Sequence, residues 1–200
     1  MPTRFPMAAL KAQAVAARTY TLKKLQSQQQ ITTDSTKDQA WISKNKLLAK
    51  WGLKKYLANW SKISSAVEST KGLVLSYDDK LISAVYHSTS GGTTASAKEV
   101  WGRKIPYLSQ VNSSYETTSP YYKQQCSFSY SQLRKMLNAP GLNINNLHVI
   151  NRSPSGRVLQ LQAGSTLLSG QKIRQNLKLP STQFKLAKKS NKVKFITSGY

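Results

Sequence analysis

An alanine-rich segment from Met7 to Lys24 constrains the fold more than any other feature of this sequence. It contains no glycine and few β-branched residues, and it follows Pro6, which suits the first turn of a helix. We therefore predict one long helix here. Its many small side chains let neighbouring elements approach closely on most faces, so the helix is expected to form a buried spine. Lys11 and Arg18 are seven residues apart, about 20° around the axis, so a polar or anionic partner could contact both.

Shorter helices and antiparallel hairpins are expected to alternate along the rest of the chain. This order indicates an α+β fold, a single domain over residues 1–200, and we find no internal repeat in it. The turn glycines and prolines, the Ser/Gln capping pattern at residue 129 and the alternating apolar residues give the expected boundaries. Helices are expected over about 43–51, 63–70, 129–138 and 171–177, hairpins over 73–77 with 81–86 and 148–151 with 158–161, and a last strand over 193–196.

The chain is strongly basic, with 30 Lys plus Arg against 7 Asp plus Glu and a net charge of +23. Such a field attracts polyanions and weakens with salt. Nucleic acid is one reading, but the cations are mostly lysines spread along the chain, without a motif that reads bases. A solvated basic surface without a dedicated partner is the plain alternative.

The sequence gives little indication of the cellular compartment or of a metal site. The single cysteine, Cys126, has no Cys or His neighbour at ligand spacing and is interpreted as structural. No apolar run reaches the length of a membrane span, and Met1 is not followed by a secretion leader, so an exported form is expected to begin further upstream.

Two motifs carry a family resemblance. ALKAQAVAARTY, at positions 9–20, and YHSTSGG, at 86–92, resemble the SpoIID/LytB domain family, which includes stage II sporulation protein D and the amidase enhancers. Further matches occur in the same order along almost the whole chain. They are Asp34-Ser35-Thr36, Gln39-Ala40-Trp41, Trp51-Gly52, Ala66-Val67, Val100-Trp101-Gly102, Pro106-Tyr107-Leu108 and the segment from Ser169 to Phe184.

The resemblance implies a bacterial cell-wall protein that acts on peptidoglycan glycan in an extracytoplasmic location. His87 could hydrogen-bond a sugar hydroxyl or an acetamido group, because neutral imidazole offers one donor and one acceptor. Gly91 and Gly92 permit a close approach of the backbone to a ligand, although a plain tight turn explains them as well. The expected glycan-binding residues are Lys11, Gln13, Arg18, His87, Ser88, Ser90, Gly91 and Gly92. Trp101 and Tyr107 could stack on sugars or belong to the core.

The chain also departs from the family pattern. In the family a Glu-Met-Pro turn precedes the first helix and supplies the catalytic glutamate of the lytic transglycosylases, whereas this chain begins at Met1-Pro2. It stops at Gly199-Tyr200, where the family has a GHGVGMSQ motif. The chain is therefore expected to be incomplete at both ends relative to the family pattern. Some members hold a metal through a His and two Cys. Gln26, Thr32 and Asp38 stand at the matching positions, and neither a metal nor another cofactor is expected.

Glycan cleavage needs a carboxyl group of raised pKa, and the sequence offers few candidates. Glu68, Glu99 and Glu116 are the only glutamates, and each is interpreted as a surface, loop or turn residue. His148 is assigned to structure. No catalytic residue is therefore predicted, and the chain is expected to be inactive as it stands.

Three functional hypotheses remain open. The first is a domain that binds or remodels glycan like the transglycosylases but lacks their acid. The second is a non-enzymatic amidase enhancer that binds anionic wall polymers and assists an N-acetylmuramoyl-L-alanine amidase. The third is an unspecific nucleic-acid binder, which rests on charge alone.

Overall fold

The computed structural model describes residues 2–27, 30–34, 38–117 and 119–199. The motif residues Ser35 and Thr36 and the terminal residues Met1 and Tyr200 lie outside the described residues. The chain divides into two compact units, Met1–Tyr86 and His87–Tyr200, called unit 1 and unit 2 below. Helices and small antiparallel sheets alternate irregularly along it, which confirms the α+β class.

Unit 1 begins with the predicted long helix, α1 (Met7–Gln26), which packs against a second helix, α2 (Lys44–Glu68). Leu10 and Thr19 are buried, and most other residues of α1 are half-buried. Ala8 and Ala12 stay exposed, so the helix is enclosed along part of its surface rather than on most faces. The buried Thr19 hydroxyl donates to the carbonyl of Val15 at 2.7 Å, which satisfies it within the helix.

α2 consists of two helical segments that meet at a kink at Gly52. The Ser43 side chain accepts from the N–H of Lys46 at 3.3 Å, as expected for a helix start. Gly52, at φ 70° and ψ 159°, is not helical and separates the segment 44–51 from the segment 53–68, so the predicted helix end at Gly52 is confirmed. The predicted separate helix over 63–70 is present as the second of these segments, but it begins just after Gly52 rather than at residue 63 and ends at Glu68. Residues 53–62 contain several good helix formers and extend that segment backwards to the kink.

The first hairpin is present but short. Its strands are β1 (Ser76–Tyr77) and β2 (Lys80–Leu81), joined by Asp78 and Asp79 at φ 49° and 58°. Positive φ at both turn residues suits the right-handed twist of the strands. Beyond these strands the N–H of Ile82 donates to the carbonyl of Leu75 at 3.2 Å, but the predicted arms over 73–77 and 81–86 are longer than the paired part, and Leu73 and Val74 remain exposed.

Unit 2 starts with a small irregular region. The short strands β3 (Gly92–Thr93) and β4 (Asn112–Ser113) pair with each other. A capping box between Ser96 and Glu99 begins α3 (Ala97–Trp101), and a 3₁₀ turn covers Ser114–Glu116. This region carries the Ser/Thr/Gly motif.

The rest of unit 2 consists of two antiparallel three-stranded sheets and two helices around one hydrophobic core. The elements are β5 (Gln124–Ser129), α4 (Tyr130–Leu137), β6 (Leu147–Arg152), β7 (Val158–Ala163), β8 (Thr166–Ser169), α5 (Gly170–Leu177), β9 (Phe184–Lys188) and β10 (Lys192–Thr197). The sheet orders are β5-β10-β9 and β6-β7-β8. Leu133, Leu161, Ile173, Phe184 and Phe195 are among the core residues that are almost completely buried. The predicted helices at 129–138 and 171–177, the second hairpin and the last strand are confirmed.

An internal repeat relates the two halves of this core, so the expectation of none is wrong. β5-α4-β6-β7 and β8-α5-β9-β10 follow the same order, and the first strand of each copy pairs with the last strand of the other. Both helices start at a Ser N-cap and end at a left-handed residue, Asn138 or Lys178. Equivalent residues lie 40 positions apart, namely Ser129 and Ser169, Leu133 and Ile173, Arg134 and Arg174, Leu137 and Leu177, and Pro140 and Pro180.

Candidate functional site

The Ser/Thr/Gly motif forms a loop at the start of unit 2. His87 and Ser88 are exposed, whereas Thr89 and Ser90 are only 2% and 0% exposed. The loop therefore has an outer part, which could contact a ligand, and an inner part, which is fixed within the unit. Ser90 belongs to the inner part, although the sequence pattern placed it among the glycan-binding residues.

Glu116 holds the inner part of the loop. One of its carboxylate oxygens accepts from the backbone N–H of Ser90, from the Ser90 hydroxyl at 2.7 Å and from the N–H of Gly91 at 3.2 Å. The other accepts from the Ser113 hydroxyl at 3.0 Å. Burial raises the pKa of Glu116, but these hydrogen bonds outweigh burial and leave it below its ordinary value. The carboxylate acts as a fixed anionic acceptor.

The two glycines of the motif have different reasons to be glycine. At Gly91, with φ 81°, a Cβ would lie 2.3 Å from Oε1 of Gln183 and 2.9 Å from the backbone of Ser198. Gly92 has φ 106° and open space around the Cβ position. Gly91 is thus required for packing inside unit 2, and a ligand could approach the backbone at Gly92.

A second carboxylate, Glu99, lies in a similar setting. It accepts from Ser96 through the backbone N–H at 2.7 Å and the hydroxyl at 3.1 Å, and from Ser155 through the N–H at 3.1 Å and the hydroxyl at 2.6 Å. Burial raises the pKa of Glu99, but hydrogen bonds from Ser153, Ser155 and Ser96 lower it to about 2. Glu99 therefore joins the start of α3 to the β6–β7 turn and is an anion at neutral pH.

Arg157 connects this second carboxylate cluster to the motif loop. Its guanidinium donates to the Ser155 hydroxyl at 2.9 Å and to the carbonyls of Thr93 and Ser90 at 3.3 Å each. Burial lowers the pKa of Arg157, and the charge of Glu99 partly offsets this. The loop is thus fixed from one side by Glu116 and from the other by Arg157.

Sequence reasoning missed the roles of Glu116, Glu99 and Arg157. No spacing rule connects Glu116 to a loop 26 residues earlier, or Arg157 to one 67 residues earlier. The scarcity of carboxylates was the one available signal. In a chain with 7 acidic residues, a glutamate beside serines is a good candidate for an internal anchor.

Three of the predicted glycan-binding residues lie on α1 in unit 1. Arg18 donates to the carbonyls of Thr70 at 2.6 Å, Leu73 at 2.8 Å and Val67 at 3.2 Å. These are acceptors at and just beyond the C-terminal end of α2, so the guanidinium caps that helix. The geometry gives Arg18 an internal role and lends no support to a ligand contact. Lys11 is half-buried on the same helix.

Gln13 belongs to a hydrogen-bond chain in unit 1. It contacts the phenol of Tyr86, which donates to Oε1 of Gln39 at 2.8 Å, and the Gln39 amide donates to the carbonyl of Ala17 at 2.9 Å. Burial raises the pKa of Tyr86, the neighbouring Tyr20 adds to this, and Gln13 opposes it. This chain fixes residue 86, just before the motif. The joint role of the eight predicted residues stays a prediction, because three belong to unit 1 and five to unit 2.

The positions matched to a metal site in some family members form a different arrangement here. Asp38 forms an ion pair with Lys24 and accepts from the N–H of Thr32 at 2.8 Å and from its hydroxyl at 3.1 Å. Hydrogen bonding from Lys24 is the main cause that lowers the pKa of Asp38. Over the described ranges, no group of three or more His, Cys, Asp or Glu side chains could hold a metal ion.

The remaining candidates are peripheral. His148 is exposed on β6, and Trp101, 51% exposed, ends α3. A hollow of about 500 Å³ beside α5 is lined by Gln124, Cys126, Arg174, Gln175, Lys178, Leu179 and Pro180. Although it contains two cations, it lies at the C-terminal end of α5, whose carbonyl groups disfavour an anion. We assign it no role.

Comparison with known proteins agrees with the motifs. Residues 1–77 match the family model SpoIID, described as stage II sporulation protein. The whole chain is 32% identical over 208 residues to stage II sporulation protein D of Bacillus amyloliquefaciens, and 31% identical over 211 residues to that of Bacillus subtilis (strain 168). An amidase enhancer of Bacillus subtilis (strain 168) is 40% identical over 108 residues, which cover 54% of this chain and 13% of that protein. The chain spans 60% of the length of the two sporulation proteins. No helix within the described residues is both long and apolar enough to cross a membrane.

Proposed function

We propose that this chain, which belongs to the SpoIID/LytB family, binds the glycan strands of bacterial peptidoglycan and does not cleave them. The observation that carries the proposal is the fixed loop at the start of unit 2, which exposes His87 and Ser88. Side chains on a rigid support lose little conformational freedom on binding. An imidazole and a hydroxyl are suited to the hydroxyl and acetamido groups of the amino sugars.

The carboxylates support binding without cleavage. A glycosidic acid must hold its proton near neutral pH, which requires a raised pKa. Glu99 and Glu116 have lowered pKa values, and each carboxylate is occupied by hydrogen bonds from serines. Glu68 is exposed at the end of α2. None of the three glutamates lies in the dry, unpaired environment that a proton donor needs.

The charge of +23 suits a protein that works at the cell wall, because teichoic acids and peptide carboxylates make the wall anionic. On this basis we propose an extracytoplasmic location. Charge supplies affinity without selectivity. The motif loop would therefore supply the preference for glycan over other polyanions.

Co-sedimentation with purified sacculi stripped of teichoic acid tests the binding. We expect the chain to sediment with them at moderate salt, and we expect His87→Ala with Ser88→Ala to weaken binding by about tenfold, since each lost hydrogen bond costs roughly 0.5–1.5 kcal/mol. His148→Ala is the matched control, because His148 is the other histidine and is also exposed. Equal loss in both variants would contradict the assignment of the loop.

Analysis of the soluble products tests the absence of cleavage. After prolonged incubation, chromatography of released muropeptides should show no anhydro-sugar ends above the level of a blank. Their release by this chain, and its loss in Glu68→Gln, would contradict the proposal and identify Glu68 as the acid.

The amidase-enhancer hypothesis is the second candidate, favoured by the 40% identity to a protein of that name over half of this chain. It predicts that the chain accelerates wall lysis by an N-acetylmuramoyl-L-alanine amidase while releasing nothing alone. A nucleic-acid binder would instead show affinity for DNA that falls steeply with salt and survives His87→Ala.

A further inference from the structure

A basic stretch in unit 1 carries exposed apolar side chains that the proposed function does not use. Residues 39–67 contain six lysines, three tryptophans and no aspartate or glutamate. Most of the stretch is α2. Cationic residues together with leucine and tryptophan are typical of helices that lie in a membrane interface.

Large apolar side chains along this stretch are unusually exposed. Trp41 is 65% exposed, Leu53 64% and Leu57 58%. Lys54 lies between the two leucines in sequence and is three residues from Leu57, so the three side chains are neighbours on the helix surface. Lys46, Lys50, Lys54 and Lys55 are all exposed as well.

The two segments of α2 contact each other and are fixed within unit 1. Ala66 is buried, and Arg18 caps the end of the helix. The ring of Trp60 stacks on Tyr56 at 5.8 Å and lies under the ammonium group of Lys44 at 5.0 Å. The leucines are therefore exposed on a helix that is held in place and already has a packed side.

We propose that the exposed side chains around the Gly52 kink, namely Trp41 just before α2 and Lys46, Lys50, Leu53, Lys54 and Leu57 on its two segments, bind the surface of a membrane that contains anionic phospholipid. The lysines contact the headgroups, and the leucines and Trp41 enter the boundary between headgroups and acyl chains. A polyanion such as teichoic acid would use the lysines alone and give the leucines nothing to contact. An anionic bilayer surface uses both, and the absence of carboxylates over 29 residues removes repulsion from it.

Vesicle co-sedimentation tests this proposal independently of glycan binding. Vesicles of phosphatidylcholine with about 30% phosphatidylglycerol should bind the chain, and pure phosphatidylcholine vesicles should bind it far more weakly. Leu53→Ser with Leu57→Ser leaves the charge unchanged and should weaken binding by about tenfold or more. Replacement of Lys46, Lys50, Lys54 and Lys55 by Gln should weaken it on the order of a hundredfold.

A matched control separates this face from the overall charge. Lys98, Lys104, Lys172 and Lys185 are exposed lysines of unit 2, and their replacement by Gln removes the same charge elsewhere. We expect much less loss from this control. In the unsubstituted chain, lipids brominated near the headgroup should quench tryptophan fluorescence, and Trp41→Phe should remove most of the quenching. This readout does not depend on the folding of the leucine variant.

Three results would overturn the proposal. The leucine variant could bind anionic vesicles as well as the original chain does, the unit 2 control could lose as much binding as the α2 variant, or brominated lipid could fail to quench Trp41. Teichoic acid that binds with the same dependence on the α2 lysines and none on the leucines would identify a polyanion surface instead.

Discussion

At the scale of single residues, two of the acidic side chains of this basic protein, Glu99 and Glu116, are internal anchors. Glu116 accepts four hydrogen bonds and Glu99 accepts four, almost all from serines and backbone amides. A carboxylate in such a setting stabilises the fold only while it is ionised. The geometry gives Glu116 the role of holding the motif loop and Glu99 that of joining the start of α3 to the β6–β7 turn, and their lowered pKa values do not favour proton donation at neutral pH.

Glu99 should make stability depend on acid. Its pKa is about 2 in the folded chain and 4.5 ordinarily, so its contribution is fully present above about pH 4.5 and disappears as the pH falls towards 2. We expect Glu99→Gln to lower the free energy of unfolding at pH 7 by about 1–2 kcal/mol after allowance for solvent screening. Urea unfolding at several pH values measures this.

The decisive quantity is the difference in the free energy of unfolding between the original chain and Glu99→Gln. It should shrink between pH 4.5 and 2, because the original chain loses the anion that the variant never had. Glu68→Gln is the control, since Glu68 is exposed. A difference between Glu99→Gln and the original chain that stayed constant down to pH 2 would contradict a hydrogen-bonded carboxylate at this position.

At the scale of elements, local sequence signals predicted where several helices start and end. Elements that depend on contacts between distant parts of the chain were not predicted. The Ser129–Gln132 capping box is present, because both partners lie within one turn. β5 escaped prediction, since its Gln-Gln-Cys-Ser-Phe-Ser sequence is largely polar and becomes a strand by pairing with β10, more than 60 residues later. The repeat escaped prediction for a different reason: its two copies share only a few identical residues at a spacing of 40, and the strand pairing between the copies reveals it.

The same distinction applies to the candidate site. The sequence located the motif loop and the exposed His87 and Ser88, but it assigned Ser90, Gly91 and Arg18 to ligand contacts, where the geometry shows internal ones. A spacing of seven residues places Arg18 on the same face as Lys11 without revealing that the end of α2 lies there. Contacts of this kind depend on elements far apart in sequence.

Arg18 should therefore be a stability residue of the α1–α2 pair. Arg18→Ala leaves the carbonyls of Val67, Thr70 and Leu73 without their charged donor, and we expect a loss of about 2–3 kcal/mol in the free energy of unfolding. Arg18→Lys should recover only part of it, because an ammonium group cannot reproduce the planar fork. Lys11→Ala, on the same helix, should change stability by at most about 0.5 kcal/mol. Unchanged stability in Arg18→Ala together with weaker binding to sacculi would restore the ligand role.

At the scale of the whole molecule, the charge of +23 acts on the fold as well as on partners. Among the described residues Lys24 and Asp38 form the one ion pair, so most cations have no opposite charge close by. Unfolding increases the average distance between like charges and relieves their repulsion. A chain of this composition is consequently less stable at low ionic strength than its packing alone would make it.

Salt should therefore stabilise this protein. Raising NaCl from about 10 to 100 mM shortens the screening length from about 30 to about 10 Å, and we expect the free energy of unfolding to rise by about 1 kcal/mol. The variant with Lys46, Lys50, Lys54 and Lys55 changed to Gln has a net charge of 23 minus 4, or +19, and should show a smaller rise. Because three of those lysines, Lys46, Lys50 and Lys54, belong to the proposed membrane surface, the variant should gain stability at low salt while it loses vesicle binding. A protein whose stability instead fell with added NaCl would be held together by ion pairs, and the repulsion argued here would not govern its fold.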